Sequence, residues 1–354
     1  MQTTGITKLL RLSLGALLVV GALGAGFLWH LHWWSSRPLP LGHATVVKVS
    51  SQVPLKELTG QLLAAGVIDS GNYFLFWVKA QRIFHKIQAG TYHFTEAVSP
   101  EQVLNVLILG PSHQKPVLTF IIPEGYNLKQ ILERMVEFKL SSYEPLWQLA
   151  HNPAFIASLH LQGPSLEGFL YPATYYFYEE HPSAQEVLST FAEEFMNRLP
   201  KDYQQQVEAR GLSFYQAVTF ASMIEKETDL DEERELIAEV IWRRLQANIP
   251  LAIDAAVIYG SKDYHGSLKT FHLKDRDNPY NTRIFRGLPP GPIASPTSAS
   301  LAAVLKPSTE GYMYYVLLPD KNGKHHFAKT LREHNLYVAK LLRARARVRA
   351  REKT

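Results

Sequence analysis

The sequence predicts an α+β protein with three parts: an N-terminal transmembrane helix, a small α/β subdomain, and a larger, mainly helical α+β domain. An apolar run near the N-terminus predicts the first part, and mixed β-like and helical runs predict the second. Helical periodicity through most of the remaining chain predicts the third. The 354 residues, 46% hydrophobic and 19% charged, suffice for two domains with real cores and exclude a disordered or fibrous chain.

The N-terminal apolar run extends from Leu12 to Trp29, about 18 uncharged residues, which is near the lower length for crossing a bilayer. Basic residues precede it, and tryptophans follow it as in an interfacial belt. A cleaved signal peptide is the alternative, but residues 30–34 (HLHWW) form a poor cleavage site. We therefore expect a cytoplasmic segment 1–11, a transmembrane helix 12–32 and a linker 33–43, with the rest of the chain outside.

The next part, residues 44–125, alternates between β-like and helical patterns. A strand–helix–helix–strand order of this size is typical of small glycan-binding modules. The predicted elements are strands at 44–49, 89–94 and 117–122, and helices at 55–65 and 73–84 and from Ser99 onward.

The third part, residues 126–345, carries an apolar i, i+3/i+4 pattern in most of its segments. This pattern breaks between residues 261 and 298, where glycine and proline are dense. A β-like run follows at 312–318, then a turn at Asn322-Gly323. A final helix from His334 leads to a basic tail, 346–354. The other predicted helices are 127–138, 142–151, 184–199, 202–210, 213–228 and 231–247.

The formal charge of +5 and the pI of about 9.1 come largely from the two chain ends. No stripe of basic and aromatic residues occurs in the body of the chain, so nucleic acid is not an expected partner. The chain has no cysteine, which excludes disulfides, thiolate metal sites and a cysteine nucleophile. No HExxH or comparable spacing occurs, and we expect neither a metal nor another cofactor.

Glu225 is the first candidate for chemistry. It follows Ala221 by four residues and Ala217 by eight, so the three share one face of the predicted helix 213–228. Small residues beneath a glutamate leave space for a ligand. Glu227 lies about 200° around the same helix, where an ordinary surface glutamate is expected. The alternative for Glu225 is a helix-edge glutamate paired with a Lys or Arg elsewhere.

The second candidate is the loop that begins with Tyr280, Asn281 and Thr282 and continues into Gly287–Pro292, where glycine and proline restrict the backbone. An aromatic ring beside amide and hydroxyl groups is suited to stacking on a sugar and to hydrogen bonding with its substituents. The alternative is a rigid surface loop without a ligand.

Six motifs in one order resemble the MltG (YceG-like) family of endolytic murein transglycosylases. The resemblance covers nearly everything after the linker, and its strongest piece is ASMIEKET at 221–228. Three departures occur: LAIDAA before VIYG keeps Asp254 but lacks the usual polar neighbours, Arg283 replaces the last residue of YNTY, and Ala173 replaces the aspartate of PDTY. The other motifs are IPEG at 122–125, LEGFLYPATY at 166–175, VIYG at 257–260, YNT…GLPPGPIASP at 280–296, and GKHHF with EHN at 323–327 and 333–335.

The resemblance implies a lyase that cuts the MurNAc–GlcNAc bond within nascent peptidoglycan strands, leaves a 1,6-anhydro-MurNAc end and terminates strand elongation. It implies Glu225 as the catalytic residue, with Asp254, Tyr280, Asn281 and Thr282 holding the sugar or orienting the acid. Domain 44–125 would be LysM-like and 126–345 catalytic. The implied partners are peptidoglycan strands, the inner membrane and peptidoglycan synthases, with the catalytic domain in the periplasm. No cofactor is implied.

Two alternatives stay open at this point. The first is a non-catalytic peptidoglycan-binding or scaffold protein of the cell-wall synthesis machinery, which the altered residues around Asp254 favour. The second is a pyridoxal-phosphate lyase acting on aminodeoxychorismate. A cytosolic cofactor enzyme has no use for an exporting anchor, and no glycine-rich phosphate loop lies beside a candidate Schiff-base lysine.

Overall fold

The computed structural model describes residues 3–42, 45–51, 53–111, 116–178, 182–319 and 323–351, with the backbone alone for 3–18 and 349–351. These residues form a mixed α+β fold in which helices dominate and the strands make three two-stranded sheets. The predicted α+β class is thereby confirmed. The chain divides into two compact units, Met1–Thr119 with Tyr176–Glu180, and Phe120–Tyr175 with His181–Thr354.

The first unit has one short antiparallel sheet beside helices. Strands β1 and β2 pair with Thr45 opposite Phe94 and Val49 opposite Gly90. The predicted strand–helix–helix–strand order is confirmed, while the likeness to LysM modules stays a prediction. The elements are α1 (Thr3–Ser36), β1 (Thr45–Val49), α2 (Leu55–Ala64), α3 (Gly71–Gln81), a 3₁₀ turn (Phe84–Lys86), β2 (Gly90–Phe94) and α4 (Pro100–Leu109).

The core of this unit is built from the apolar faces of α2, α3, α4 and the sheet, with Leu58, Phe74 and Tyr92 fully buried. The C-terminal end of α1 joins this core through Trp34, whose Nε1 donates to Asp69 Oδ1 over 2.7 Å. Burial of such large side chains is the main stabilising contribution in a unit of this size.

Helix α1 includes the whole predicted transmembrane segment 12–32. Among the residues whose side chains are described, no helix is both long and apolar enough to cross a membrane. Residues 12–18 of the predicted span lie outside that set.

A short sheet of β3 (Leu118–Ile121) and β4 (Thr174–Phe177) follows, and the boundary between the two units falls inside both strands. The second unit is mainly helical. Its helices are α5 (Leu128–Glu137), α6 (Tyr143–Ala150), α7 (Pro153–Ser158), α8 (Ala184–Asn197), α9 (Tyr203–Glu208), α10 (Phe214–Glu227), α11 (Asp231–Gln246), α12 (Asp254–Gly260), α13 (Thr270–Lys274), α14 (Ser298–Leu305) and α15 (Leu331–Arg351).

Helix α10 is the centre of this unit, with α11 and α14 packed against it. A capping box starts it: Ser213 Oγ accepts from Gln216 N, and Gln216 Oε1 accepts from Ser213 N. Every residue from Ala217 to Glu225 is buried. A helix enclosed in this way holds its C-terminal side chains in fixed directions, which is what a site needs.

The predicted β run at 312–318 forms β5 (Tyr314–Leu317), which pairs antiparallel with β6 (His325–Ala328). The predicted turn lies partly outside the described residues, because Asn322 is not among them. Helix α15 packs against both strands. It begins at Leu331, three residues before the predicted start, because Thr330 Oγ1 accepts from Glu333 N at that end.

Candidate active site

A cleft of about 430 Å³ opens at the C-terminal end of α10 in the second unit. Helix α10 contributes Glu227, α11 contributes Arg244, and the start of α12 contributes Asp254. Hairpin β5–β6 and α15 form the opposite wall, with Tyr315, His325, His334 and Arg345 among the residues that line it. These elements are distant in sequence, so only the tertiary fold brings their side chains together.

Glu227 is the acidic residue of α10 that reaches this cleft. It is partly buried, and its carboxylate accepts a hydrogen bond from the Tyr315 hydroxyl. Burial raises the pKa of Glu227 to about 7, with a further rise from Asp254 that the Tyr315 hydrogen bond and Arg283 oppose. The expectation of an ordinary surface glutamate is wrong, because hairpin β5–β6 covers that side of the helix.

Tyr315 is held by its neighbours on the hairpin. The rings of Tyr315 and His325 meet edge to face with centroids 5.4 Å apart. His325 Nδ1 lies 2.7 Å from Glu233 Oε2, and its backbone N donates to Glu233 Oε1 over 2.8 Å. Glu233 belongs to the first turn of α11, so this contact joins the hairpin to the helix that follows Glu227.

Asp254, a predicted site residue, lines the cleft together with Glu227. Its Oδ1 accepts from Arg283 Nε and Nη2 over 2.7 and 2.5 Å. Arg283, one of the departures from the family pattern, therefore forms an ion pair beside the candidate acid. Ala252, the neighbouring departure, has a φ of 58°, a left-handed conformation that costs an alanine about 1 kcal/mol.

Asn281 and Thr282 are buried and bind backbone rather than the cleft. Asn281 Nδ2 donates to the carbonyls of His272 and Asp275 over 3.2 and 2.8 Å. Thr282 Oγ1 accepts from Ile253 N and donates to Ile253 O, both over 3.0 Å, which fixes the start of α12. Direct contact with a substrate, as predicted for both, would require these buried groups to leave their bonds.

Tyr280 lies apart from the cleft, against the ring of Tyr259 at 4.8 Å. Burial raises its pKa, and Glu167 raises it further. Glu167 was missed by sequence reasoning although it belongs to LEGFLYPATY. It is buried, accepts from Leu128 N at the start of α5, and accepts from the Tyr259 hydroxyl over 2.9 Å. Burial raises the pKa of Glu167 to about 7.

Glu225 is enclosed between α10, α11 and α14, with its side chain 2% exposed. Its Oε2 forms an ion pair with Arg234 Nη1 over 3.2 Å. The same oxygen accepts from Thr297 N, Thr297 Oγ1 and Ser300 Oγ over 3.0, 2.8 and 2.6 Å. Four donors on one oxygen satisfy its acceptor capacity.

No group of three or more His, Asp or Glu side chains in the described ranges is placed to hold a metal ion. Within the cleft lining, Asp254 is paired with Arg283, and His325 is paired with Glu233. What this arrangement offers chemically is one partly exposed carboxyl group of raised pKa, held by a tyrosine hydroxyl, in a cleft flanked by arginines.

The profile of the YceG-like family matches residues 47–340, most of the chain. The chain belongs to the YceG-like family. The resemblance drawn from its motifs is thereby confirmed, and the motif that contains Glu225 and Glu227 falls inside the matched range.

Relatives and solved structures extend this finding. The YceG-like chain is 28% identical over 303 residues to a Bacillus subtilis protein named endolytic murein transglycosylase, covering 82% of each. It is 27% identical over 357 residues to a Streptococcus pneumoniae protein of the same name, covering 91% of this chain but 64% of the relative. A crystal structure of a YceG-like protein from Listeria monocytogenes matches with a TM-score of 0.55 and 29% identity, over 83% of this chain and 98% of that one.

Proposed function

We propose that this YceG-like protein is a lytic transglycosylase that cuts peptidoglycan glycan strands internally, with Glu227 as its acid–base residue. One observation carries the proposal: Glu227 lines a cleft of about 430 Å³ and has its pKa raised to about 7. Perturbed carboxyl groups in clefts are typical of catalytic sites. The names of the Bacillus and Streptococcus relatives support the reaction class.

A pKa near 7 suits one residue that must act first as acid and then as base. Protonated Glu227 donates to the oxygen that links MurNAc to GlcNAc, and that glycosidic bond breaks. The resulting carboxylate takes the proton of the C6 hydroxyl of the same MurNAc, whose oxygen bonds to C1 and closes a 1,6-anhydro ring. Because the nucleophile is a hydroxyl of the substrate, a second carboxylate is not needed, in contrast to hydrolytic glycosidases.

The surroundings of Glu225, the residue predicted from the sequence, favour a supporting role. It is nearly inaccessible, and its Oε2 already accepts from Arg234, Thr297 and Ser300. It stabilises the packing of α11 and α14 on α10, which directs Glu227 into the cleft. Glu227 in contrast lines the cleft and is partly exposed. Its carboxylate accepts a hydrogen bond from the Tyr315 hydroxyl.

The test compares Glu227→Gln and Glu225→Gln on purified uncrosslinked glycan, with mass spectrometry of the products and melting curves for both variants. We expect Glu227→Gln to lose cleavage by about 10²- to 10⁴-fold at an unchanged melting temperature. Glu225→Gln should melt at a lower temperature and keep most activity per folded molecule. The opposite ranking would return the catalytic role to Glu225.

The product ends test the reaction itself. Anhydro ends from internal cuts are expected. Hydrolysed ends would show that the protein cleaves glycan by hydrolysis and would overturn transglycosylation. A parent protein that binds glycan without cutting it would favour the non-catalytic scaffold.

We further propose that α1 anchors the protein in the inner membrane, with its N-terminus cytoplasmic and the remainder periplasmic. The apolar run 12–29 and its flanking charges support this, as do exposed apolar side chains on α1 such as Val20, Leu23 and Trp29. Release of the full chain from membranes by a carbonate wash would contradict it.

The strand–helix–helix–strand order of the first unit supports a LysM-like glycan-binding role. The test compares binding of the full chain to insoluble peptidoglycan with binding of a variant that lacks residues 44–117, a deletion that ends before β3 and the second unit. Retention of binding without this segment would contradict the role. The resemblance alone supports peptidoglycan synthases as partners, and their absence from cross-linked membrane complexes would count against them.

A further inference from the structure

A second cavity of about 430 Å³ lies in the helical unit, with none of its lining residues shared with the Glu227 cleft. Helix α11 forms much of its wall through Glu239, Trp242, Arg243 and Gln246, which are spaced i, i+3, i+4 and i+7 and so share one face. Arg210 and the segment 307–309 complete the lining.

Glu239 is the unusual member of this wall. It is 2% exposed, and Gly311 N donates to its Oε1. Its Oε2 is buried and has no hydrogen-bond partner among the described residues. A buried carboxylate oxygen without a donor is costly for a folded protein, and such a group in a cavity wall indicates a missing donor. An ammonium group is the donor that best compensates a buried carboxylate.

Two cations and one aromatic ring accompany Glu239. Arg210 and Arg243 are exposed, and in the described part of the chain neither has an ion-pair partner. Trp242 is fixed, because its Nε1 donates to Val304 O over 3.1 Å and its ring meets Phe220 at 5.4 Å. Guanidinium groups bind carboxylates, and an indole ring packs against an aliphatic chain.

These groups together match a ligand with an ammonium, a carboxylate and a short aliphatic chain. Arg244, which lines the Glu227 cleft, is about 140° around α11 from Glu239. A helix with its side chains is about 10–12 Å across, and an extended tripeptide spans roughly 10 Å. The path around a helix of that width through this angle is about 13 Å, which is longer than the tripeptide. A peptide in this cavity therefore belongs to a different sugar of the strand from the one in the cleft.

We propose that the cavity binds the zwitterionic end of a diamino acid in the stem peptide of peptidoglycan, with its free ammonium at Glu239 and its carboxylate at Arg210 and Arg243. The inference rests on the proposed function for its choice of ligand. A site that requires a free amine selects strands whose peptides are not yet cross-linked, because cross-linking turns that amine into an amide. The cavity thereby directs cleavage to newly made glycan.

The experiment uses the full chain and the tripeptide L-Ala-γ-D-Glu-meso-diaminopimelate, with titration calorimetry as the readout. We expect measurable binding that weakens about tenfold or more when the free side-chain amine of diaminopimelate is acetylated, or in Glu239→Gln. Glutamine at 239 retains an acceptor for Gly311 N, and Arg243→Ala supplies a second, exposed variant if the first does not fold. The matched control is Glu235→Gln, an exposed glutamate of α11 that should bind as the parent does.

A kinetic arm links binding to cleavage. Glu239→Gln should lower kcat/KM on peptide-bearing strands about tenfold and leave cleavage of peptide-free strands unchanged. Equal affinity for the acetylated tripeptide, or no effect of Glu239→Gln and Arg243→Ala, would overturn the stem-peptide site. If the parent cleaves neither kind of strand, the proposed function fails, while the calorimetric result still decides whether the cavity takes the zwitterion.

Discussion

The hydrogen bond from Tyr315 to Glu227 gives the sharpest prediction about the cleft. In the proposed mechanism protonated Glu227 donates to the glycosidic oxygen, so activity should fall as the pH rises through the pKa of Glu227 of about 7. The Tyr315 hydroxyl stabilises the ionised form of Glu227. In Tyr315→Phe the pKa of Glu227 therefore rises, and the alkaline limb of the pH–rate profile moves to higher pH.

The size of this shift follows from the bond that is lost. A hydrogen bond to a charged group contributes about 1.5–3 kcal/mol, and one pKa unit corresponds to about 1.4 kcal/mol. Because Glu227 is partly exposed, the lower end applies, and we expect a displacement of about one pH unit. Phenylalanine keeps the ring contacts of Tyr315 with His325 and Phe327.

The assay is kcat/KM for release of glycan fragments between pH 5 and 9, counted by mass spectrometry. Tyr314→Phe is the matched control, since Tyr314 lies beside Tyr315 on β5 and no hydrogen bond of its hydroxyl is described. A limb that stays in place or moves to lower pH in Tyr315→Phe would refute the role of this bond. Equal shifts in both variants would refute it too.

Three further predictions test the charges around the site. Asp254→Asn removes a carboxylate that raises the pKa of Glu227, so the same limb should move to lower pH, opposite in sign to Tyr315→Phe. Because burial raises the pKa of Glu167 from 4.5 to about 7, the free energy of unfolding should fall by about 3 kcal/mol as the pH rises through this range. Denaturant titrations of Glu167→Gln should lack most of that decline. Arg234→Ala leaves the buried Glu225 unpaired and should lower the free energy of unfolding by about 3–5 kcal/mol; a loss under 1 kcal/mol would show that the pair contributes little.

Local signals explain which parts of the fold were predictable. The helices at 184–199, 213–228 and 231–247 were anticipated because their apolar stripes repeat along the chain, and α8, α10 and α11 occupy these ranges. The short helices α12 and α14 and the strands β4 and β6 were not anticipated. Each is only four to eight residues long, and a segment of that length is determined by its tertiary contacts rather than by its own periodicity.

The candidate site also contains residues whose position the sequence predicted and residues whose position it did not. Asp254 was predicted and lines the cleft. Asn281 and Thr282 have the side chains expected of a binding loop, but these side chains hydrogen-bond to backbone groups around α12 and α13. The polarity of these two side chains is a local property, but their hydrogen-bond partners depend on which segments pack against them. Sequence alone does not distinguish a hydroxyl that binds a sugar from one that fixes a neighbouring turn.

The sequence by itself determined the family, the helical character of the larger unit and the short motif, residues 221–228, that carries the candidate acid. Only the tertiary structure decided which glutamate of that motif meets the cleft. Helical periodicity gives the angle between Glu225 and Glu227 but not which side is covered. Arg234, Thr297 and Ser300 close over Glu225 from α11 and α14, and hairpin β5–β6 leaves Glu227 at a partly open wall with a pKa near 7.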